Sequence, residues 1–261
     1  MTAGRLAGRR AVITGGATGI GFGVARRFLA EGAAVLLAGP DDAAMEVAAT
    51  RLLADDPQQM VVRHVDDLSR SGAGERLSAT ALATMSGIDI LVNNAGGGVI
   101  TATDHHTDDT IRRTIDNNLW TTLNCTLAIL PHMVTSGYGR VVNIGAESVR
   151  NGLNGHAIYN AAKGGVHAFA VGLAREYAAS GITFNTVAPS YTLTPEIEAA
   201  LADGTLSEEF RSITDIAVSL IPMRRPATVD EVAAAVLFLA SEEASFITGQ
   251  VLSVNGGSSM G

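Results

Sequence analysis

The sequence predicts an α/β protein in which a parallel sheet of seven strands is covered by helices on both faces. Three observations carry that reading. Short apolar runs alternate along the chain with longer segments whose apolar residues recur at helical spacing. The first run breaks directly into Gly15-Gly16-Ala17-Thr18-Gly19-Ile20-Gly21, a glycine turn between a strand and a helix. No linker or repeat interrupts the alternation, so one domain over 1–261 is expected. Strands separated by helices imply right-handed crossovers, which make a sheet parallel and bury both its faces.

The first strand is 10–14, and the helix after the glycine turn carries Val24, Ala25, Phe28 and Leu29 before Gly32 ends it. Glycines in this setting let the backbone approach a pyrophosphate and present helix N-terminal amides to it. A tight turn without any ligand has the same composition. Residues 33–38 and 60–65 read as the second and third strands, with helices over 41–54 and 72–85. The fourth strand, 88–92, runs into Asn93-Asn94-Ala95-Gly96 and then a long helix over 107–135. A fifth strand at 140–144 precedes a helix over 155–180, a sixth strand at 182–188 follows, and 251–254 is the seventh. The helix over 228–241 opens with a capping box, Thr228 with Glu231. Ligands in such sheets bind beyond the carboxyl ends of the strands, where the glycine turn, Asn94, the 145–148 segment and the loop from Pro189 all fall.

Composition narrows the partners. The chain has 261 residues, 47% of them hydrophobic, and a net charge of −8. That charge argues against nucleic acid or an anionic membrane as the main partner. The single Cys125 excludes an internal disulfide framework, and no apolar run has the length of a membrane span. The first ten residues lack a signal-peptide core, and a cytoplasmic protein is expected.

The most informative pair is Tyr159 and Lys163. Four residues apart in a helical context, they share one face about one turn apart. Of the 18 basic residues, only Lys163 is a lysine. A phenol is a poor proton carrier near neutrality because its pKa is about 10, and a nearby ammonium favours the phenolate. Lysine delivers that charge on a slim stem that the planar fork of arginine does not copy. An ordinary amphipathic helix with a solvated lysine has the same spacing.

Taken together, several motifs resemble the short-chain dehydrogenase/reductase family. They are Thr14-Gly15 with Gly19-Ile20-Gly21, Asp67-Leu68-Ser69, Asn93-Asn94-Ala95-Gly96, Asn118-Leu119 and Val142-Asn143-Ile144. Tyr159 with Lys163, Asn185 with Pro189, and Phe246-Ile247-Thr248-Gly249-Gln250 complete the series in the family's order. The resemblance implies a Rossmann-like, doubly wound sheet of seven strands, a nicotinamide cofactor and a homotetramer. It implies Tyr159 as general acid/base. Lys163 is implied to hold the nicotinamide ribose, to lower the Tyr159 pKa and to join a proton relay. Asn118 is implied to hold a relay water through its helix backbone. For the cofactor it implies Gly15, Thr18, Gly19, Ile20 and Gly21 at the pyrophosphate and Asp67 and Leu68 at the adenine. Asn94 and Gly96 are expected on the ribose side, and Pro189, Thr192 and Thr194 near the carboxamide. It also implies a mobile lid over the substrate at about 190–222.

The activity so implied is hydride transfer between a nicotinamide and a secondary alcohol or ketone. Two alternatives stand beside it: a dinucleotide-binding regulator without chemistry, and an NADPH-dependent 3-oxoacyl reductase. NAD is expected over NADP, although NADP use stays open. Gly39 occupies the end of the second strand, where the family's NAD users carry an acid. No Arg or Lys follows it, and Asp41 and Asp42 would repel a 2′-phosphate or merely open the next helix.

One departure concerns the family's serine three residues after the strand Asn, which here is Ala146. Ser148, eleven before Tyr159, is the expected substitute; an extended segment would displace it, whereas a bulge at 145–146 would bring it back. Glu147 is expected on the opposite face. Asp104-His105-His106-Thr107-Asp108-Asp109 resembles a metal cluster, but the acids suit a helix start capped by Thr107, and no metal is expected. His156 either lines the substrate site or is a plain loop histidine.

Overall fold

The computed structural model describes residues 4–54, 56–205 and 208–260. The first half runs β1 (Arg10–Thr14), α1 (Gly19–Ala30), β2 (Ala34–Gly39), α2 (Asp42–Leu53), β3 (Val61–Val65), α3 (Ala73–Met85) and β4 (Ile90–Asn93). Then come α4 (Asp108–Ile115), α5 (Thr121–Ser136), β5 (Gly139–Ile144), α6 (Ser148–Asn151), α7 (Ala157–Glu176) and β6 (Ile182–Pro189). The last part holds β7 (Thr192–Leu193), α8 (Pro195–Ala202), α9 (Glu208–Ser219), β8 (Ala227–Thr228), α10 (Val229–Ala240) and β9 (Val251–Val254). The main sheet has seven strands in the order β3-β2-β1-β4-β5-β6-β9, every pair parallel. It is the doubly wound sheet expected from the sequence. The order reverses direction between β1 and β4, and crevices at such switch points are where ligands bind.

The strand period of two divides the core. Ala11 and Ile13 of β1, Val35 and Leu37 of β2, and Val142 of β5 face α1, α2 and α10, packing with Val24, Phe28, Met45 and Val236. Val12, Leu36, Leu91 and Val141 face the other way, onto Leu77, Ile129, Met133 and Leu173 of α3, α5 and α7. A sheet buried on both faces has no polar face, which is why its strands read as unbroken apolar runs. Fully burying each such Val, Leu, Ile or Phe contributes roughly 1.5–3 kcal/mol.

Most elements lie within a residue or two of their predicted bounds. The helix over 107–135 does not: a π-turn at Asp116–Trp120 separates α4 from α5. Thr107 does cap α4, and Thr228 with Glu231 forms the predicted capping box of α10. The long loop after β6 is partly regular. β7 pairs with β8, and α8 and α9 lie between them in the chain. Among the described residues, no helix is long and apolar enough to cross a membrane.

Candidate active site

A cavity of about 610 Å³ opens at the carboxyl ends of the central strands. Its wall is built from the turns after β4, β5 and β6, the starts of α1 and α7, and α8 and α9. Tyr159 and Lys163 meet there. Lys163 is 4% exposed and Nζ donates to the Ile144 carbonyl at 2.8 Å, 5.8 Å from the centre of the Tyr159 ring. Burial disfavours charge on both groups, pushing Tyr159 up to about 12 and Lys163 down to about 8. In the protein without cofactor the shift of Tyr159 is thus upward, opposite to the lowering that the resemblance implies. Desolvation of the phenol dominates while the ammonium points at a carbonyl.

The turn after β4 sits against this pair. A Cβ on Gly96 would stand 2.6 Å from Asn118 Oδ1 and 3.2 Å from Lys163 Nζ, so only glycine fits. Asn118, fully buried in the π-turn, clasps the next residue: Nδ2 donates to the Gly97 carbonyl (2.9 Å), and the Gly97 N–H donates to Oδ1 (3.2 Å). The Asn118 backbone carbonyl accepts the Thr122 hydroxyl at 2.8 Å. π-turns mark functional positions in helices often enough to give this interruption weight.

The dinucleotide end forms a second assembly. α1 starts at Gly19 with Thr18 at its N-cap, no side chain capping it and no acid in its first turn. By contrast α2, α4, α8 and α10 are capped by Asp41, Thr107, Thr194 and Thr228. Uncapped amides at the positive end of a helix suit a diphosphate. Gly15 adopts φ +61°, and a Cβ on Gly21 would stand 2.1 Å from the Gly15 carbonyl oxygen. The Thr14 hydroxyl accepts the N–H groups of Asn94 (3.0 Å) and Ala95 (2.9 Å), while Asn94 Nδ2 donates to the Thr14 and Gly15 carbonyls at 3.1 and 3.0 Å. The glycine turn and the Asn94 turn are thus one rigid shelf, and a Cβ on Gly19 would stand 3.3 Å from Thr194 Cγ2. These features fit a nicotinamide dinucleotide.

Ile20, Asn94, Gly96, Ser148, Tyr159, Lys163, Pro189, Thr192 and Thr194 share the cavity wall. Gly15, Thr18, Gly19 and Gly21 form the shelf beside it, and Asn118 lies behind Gly96. Asp67 and Leu68 follow β3, outside the cavity lining. Hydrogen bonds from Ser69, then from Arg70, hold the Asp67 carboxyl below its usual range, and the Leu68 side chain is in the core. At the end of β2, a Cβ on Gly39 would meet nothing within 4 Å. Asp41 accepts the Ala44 N–H at 3.0 Å, while Arg63 is engaged by Asp42 (2.8 Å) and Glu46 (2.5 Å).

The segment after β5 follows neither of the two courses expected for it. It is not extended and carries no bulge. Glu147 is already in helical conformation (φ −67°, ψ −27°), and α6 begins at Ser148. The turn brings Ala146, Glu147 and Ser148 together to the cavity wall, so Glu147 is not on the opposite face. Ser148 Oγ donates to Asn160 Oδ1 at 2.6 Å. His156 also lines the cavity, edge-on to the Tyr159 ring at 6.1 Å, with Nδ1 donating to the Asn154 carbonyl at 2.8 Å. Sequence reasoning missed His167, whose Nε2 accepts the Ala146 N–H at 3.3 Å. Burial, with help from the charges of Lys163 and Arg150, pushes His167 down to about 4. Its only signal in the sequence was its position, one helical turn after Lys163. His105 and His106 lie near a short helical turn, and among the described residues no group of three His, Cys, Asp or Glu side chains is placed to hold a metal.

A doubly wound sheet carrying a glycine shelf and a Tyr on the cavity wall beside a buried Lys defines a class, the nicotinamide-dependent oxidoreductases. A family model described as enoyl-(acyl carrier protein) reductase matches residues 15–259. A 2,3-dihydroxy-2,3-dihydro-p-cumate dehydrogenase of Pseudomonas putida is 46% identical over 98% of this chain and 96% of that one. A 2-dehydro-3-deoxy-L-rhamnonate dehydrogenase (NAD(+)) of a Sphingomonas species is 35% identical over 98% and 97%. The crystal structure of levodione reductase superposes with a TM-score of 0.89 at 29% identity, covering 97% of this chain and 98% of that one. The chain belongs to the short-chain dehydrogenase/reductase family. It is an NAD(P)-dependent oxidoreductase acting on CH–OH groups, and the alternative of a regulator without chemistry is not favoured.

Proposed function

We propose that the protein oxidises a secondary alcohol carried on a small ring to the ketone, with NAD as acceptor. The observation that carries this reading is the Tyr159–Lys163 pair on the wall of a largely apolar cavity that opens beside the uncapped start of α1. The bound nicotinamide supplies the hydride chemistry, and the chain manages position and protons. Gly15, Thr18, Gly19, Ile20 and Gly21 cradle the diphosphate. Asp67 and Leu68 meet the adenine, Asn94 and Gly96 the ribose side, and Pro189, Thr192 and Thr194 the carboxamide. Lys163 holds the ribose, and Tyr159 takes the alcohol proton. Ile100, Leu153, Ile197, Leu220 and Ile221 exclude water from the ring. Of these, Ile197 on α8, Leu220 and Ile221 lie within a lid at about 190–222 on the single domain 1–261. The names of the dehydrogenase relatives support the oxidative direction and a hydroxylated substrate.

Three features support NAD. One relative is named for NAD(+), Asp41 and Asp42 stand after Gly39, and the neighbouring Arg63 is already held by two carboxylates. Turnover of ring alcohols measured with both cofactors is expected to give a kcat/KM about tenfold or more higher with NAD. A higher value with NADP overturns the preference, and turnover with neither overturns the function. Exposed Trp120, Leu127, Val134 and Val171, on or flanking α5 and α7, support assembly of copies into a homotetramer.

Ser148 is the hydroxyl that orients the reacting oxygen beside Tyr159. It is 6% exposed at the cavity wall, and its O–H, donated to Asn160 Oδ1 in the free protein, turns to the reacting oxygen when substrate binds. Losing one donor to the reacting oxygen costs about 2.7–4 kcal/mol at comparable sites. Ser148→Ala is therefore expected to lower kcat about a hundredfold with little change in melting temperature. A loss under threefold leaves Tyr159 working without it.

A further inference from the structure

The cavity wall holds a carboxyl group that the reading above leaves unused. Glu147 is 1% exposed, and its backbone N–H donates to the Pro189 carbonyl at 3.0 Å, which fixes the turn out of β5. Oε1 accepts the hydroxyl of Ser259 from the C-terminal tail. Oε2 is buried without a hydrogen-bond partner, and so are Oδ1 of Asn151 and Oγ of Ser258. Glu147, Asn151 and Ser258 all line the cavity with Ser148 and Tyr159. Buried polar atoms are nearly always paired, so acceptors left open in one cavity point to a ligand that brings donors. The nearby apolar lining offers none.

We propose that Glu147 is a specificity-determining residue that receives a second hydroxyl of the substrate, on the carbon next to the one oxidised. The preferred substrate is then a vicinal diol on a ring. This rests on the alcohol-oxidation reading. Glu147 and Ser148 are adjacent on one tight turn, so two neighbouring protein groups meet two neighbouring oxygens. The terminal torsion of a glutamate is soft, and a small turn about it presents Oε2 to the cavity without moving the backbone. A carboxylate in that place would set acceptor against acceptor, and an ammonium would be repelled by Lys163. On the neighbouring carbon, Tyr159 would take the O–H proton, and a bound nicotinamide would supply the hydride acceptor. The hydroxyl at Glu147 keeps its bonds.

The test compares cis-1,2-dihydroxycyclohexa-3,5-diene with cyclohex-2-en-1-ol, a diol and a single alcohol on similar unsaturated rings, at saturating NAD. Wild type is expected to prefer the diol. Glu147→Ala is expected to lower kcat/KM for the diol about 10- to 100-fold while changing the single alcohol less than threefold. Glu147→Gln, which keeps a carbonyl acceptor and nearly the same shape, is expected to retain part of the preference, and it serves if the alanine variant does not fold. Titration calorimetry of the diol into the NADH-loaded protein should show the same weakening. Ser259→Ala removes the tail contact alone and is expected to leave the preference within twofold. Equal losses on both compounds, no loss on either, or the same loss in Ser259→Ala overturns the role of Glu147. Wild type that oxidises both compounds equally also overturns it, with the alcohol reading intact. Wild type that oxidises neither compound overturns that reading, and this inference with it.

Discussion

Replacing Tyr159 by Phe is expected to lower kcat for alcohol oxidation about a thousandfold, within the 10²–10⁴ range of a positioned acid/base. The ring, its packing and its edge-on contact with His156 all remain, so the fold and cofactor binding should survive. Because burial holds the phenol at about 12, only a small phenolate fraction exists near neutrality. That fraction rises tenfold per pH unit, so wild-type oxidation should climb with pH from 6 to 8, whereas ketone reduction, which needs the phenol, should not. Any bound cofactor charge that lowers the phenol pKa shifts the plateau of this profile and keeps its sign. Initial rates in both directions across that range check the prediction. Residual activity in Tyr159→Phe above about a tenth of wild type would mean that another group carries the proton.

Lys163→Arg is expected to lower kcat/KM about 10²- to 10³-fold although the charge is kept. Nζ fits between the Ile144 carbonyl and the surface of Gly96, and a guanidinium brings five donors in a wide fork to that gap. Each donor left buried and unpaired costs about 1–3 kcal/mol, so the melting temperature should fall as well. Lys163→Met separates charge from shape. The folded-state pKa of Lys163 is lowered from 10.5 to about 8, so between those values the unfolded chain holds a proton that the folded chain lacks. Stability of the wild type therefore rises with pH across that window. Relative to Lys163→Met, the wild type should gain about 3 kcal/mol between pH 8 and 10.5 at 1.36 kcal/mol per unit. Urea titrations of both proteins at three pH values in the window measure it. A constant difference would place the ammonium in contact with water.

The sheet, its sequence of elements, the glycine turn and the Tyr159–Lys163 pair were legible in the sequence because each depends on local periodicity. Strand apolar runs, helix spacing and the caps at Thr107 and Thr228 are written in neighbouring residues, and no distant contact is needed to read them. What lay beyond the sequence depends on residues far apart in the chain. The π-turn at Asn118 is held by an amide clasp on Gly97, so helical periodicity alone ran through it. The course of the 145–148 segment is set by a turn whose backbone is tied to Pro189 and whose Ala146 N–H is held by His167, both distant in the chain. That same turn swung Glu147 from its expected outward position to the cavity wall. Burial likewise belongs to the tertiary structure: the sequence shows a phenol and an ammonium four residues apart, but only the packing around them sets whether attraction or desolvation governs their protons.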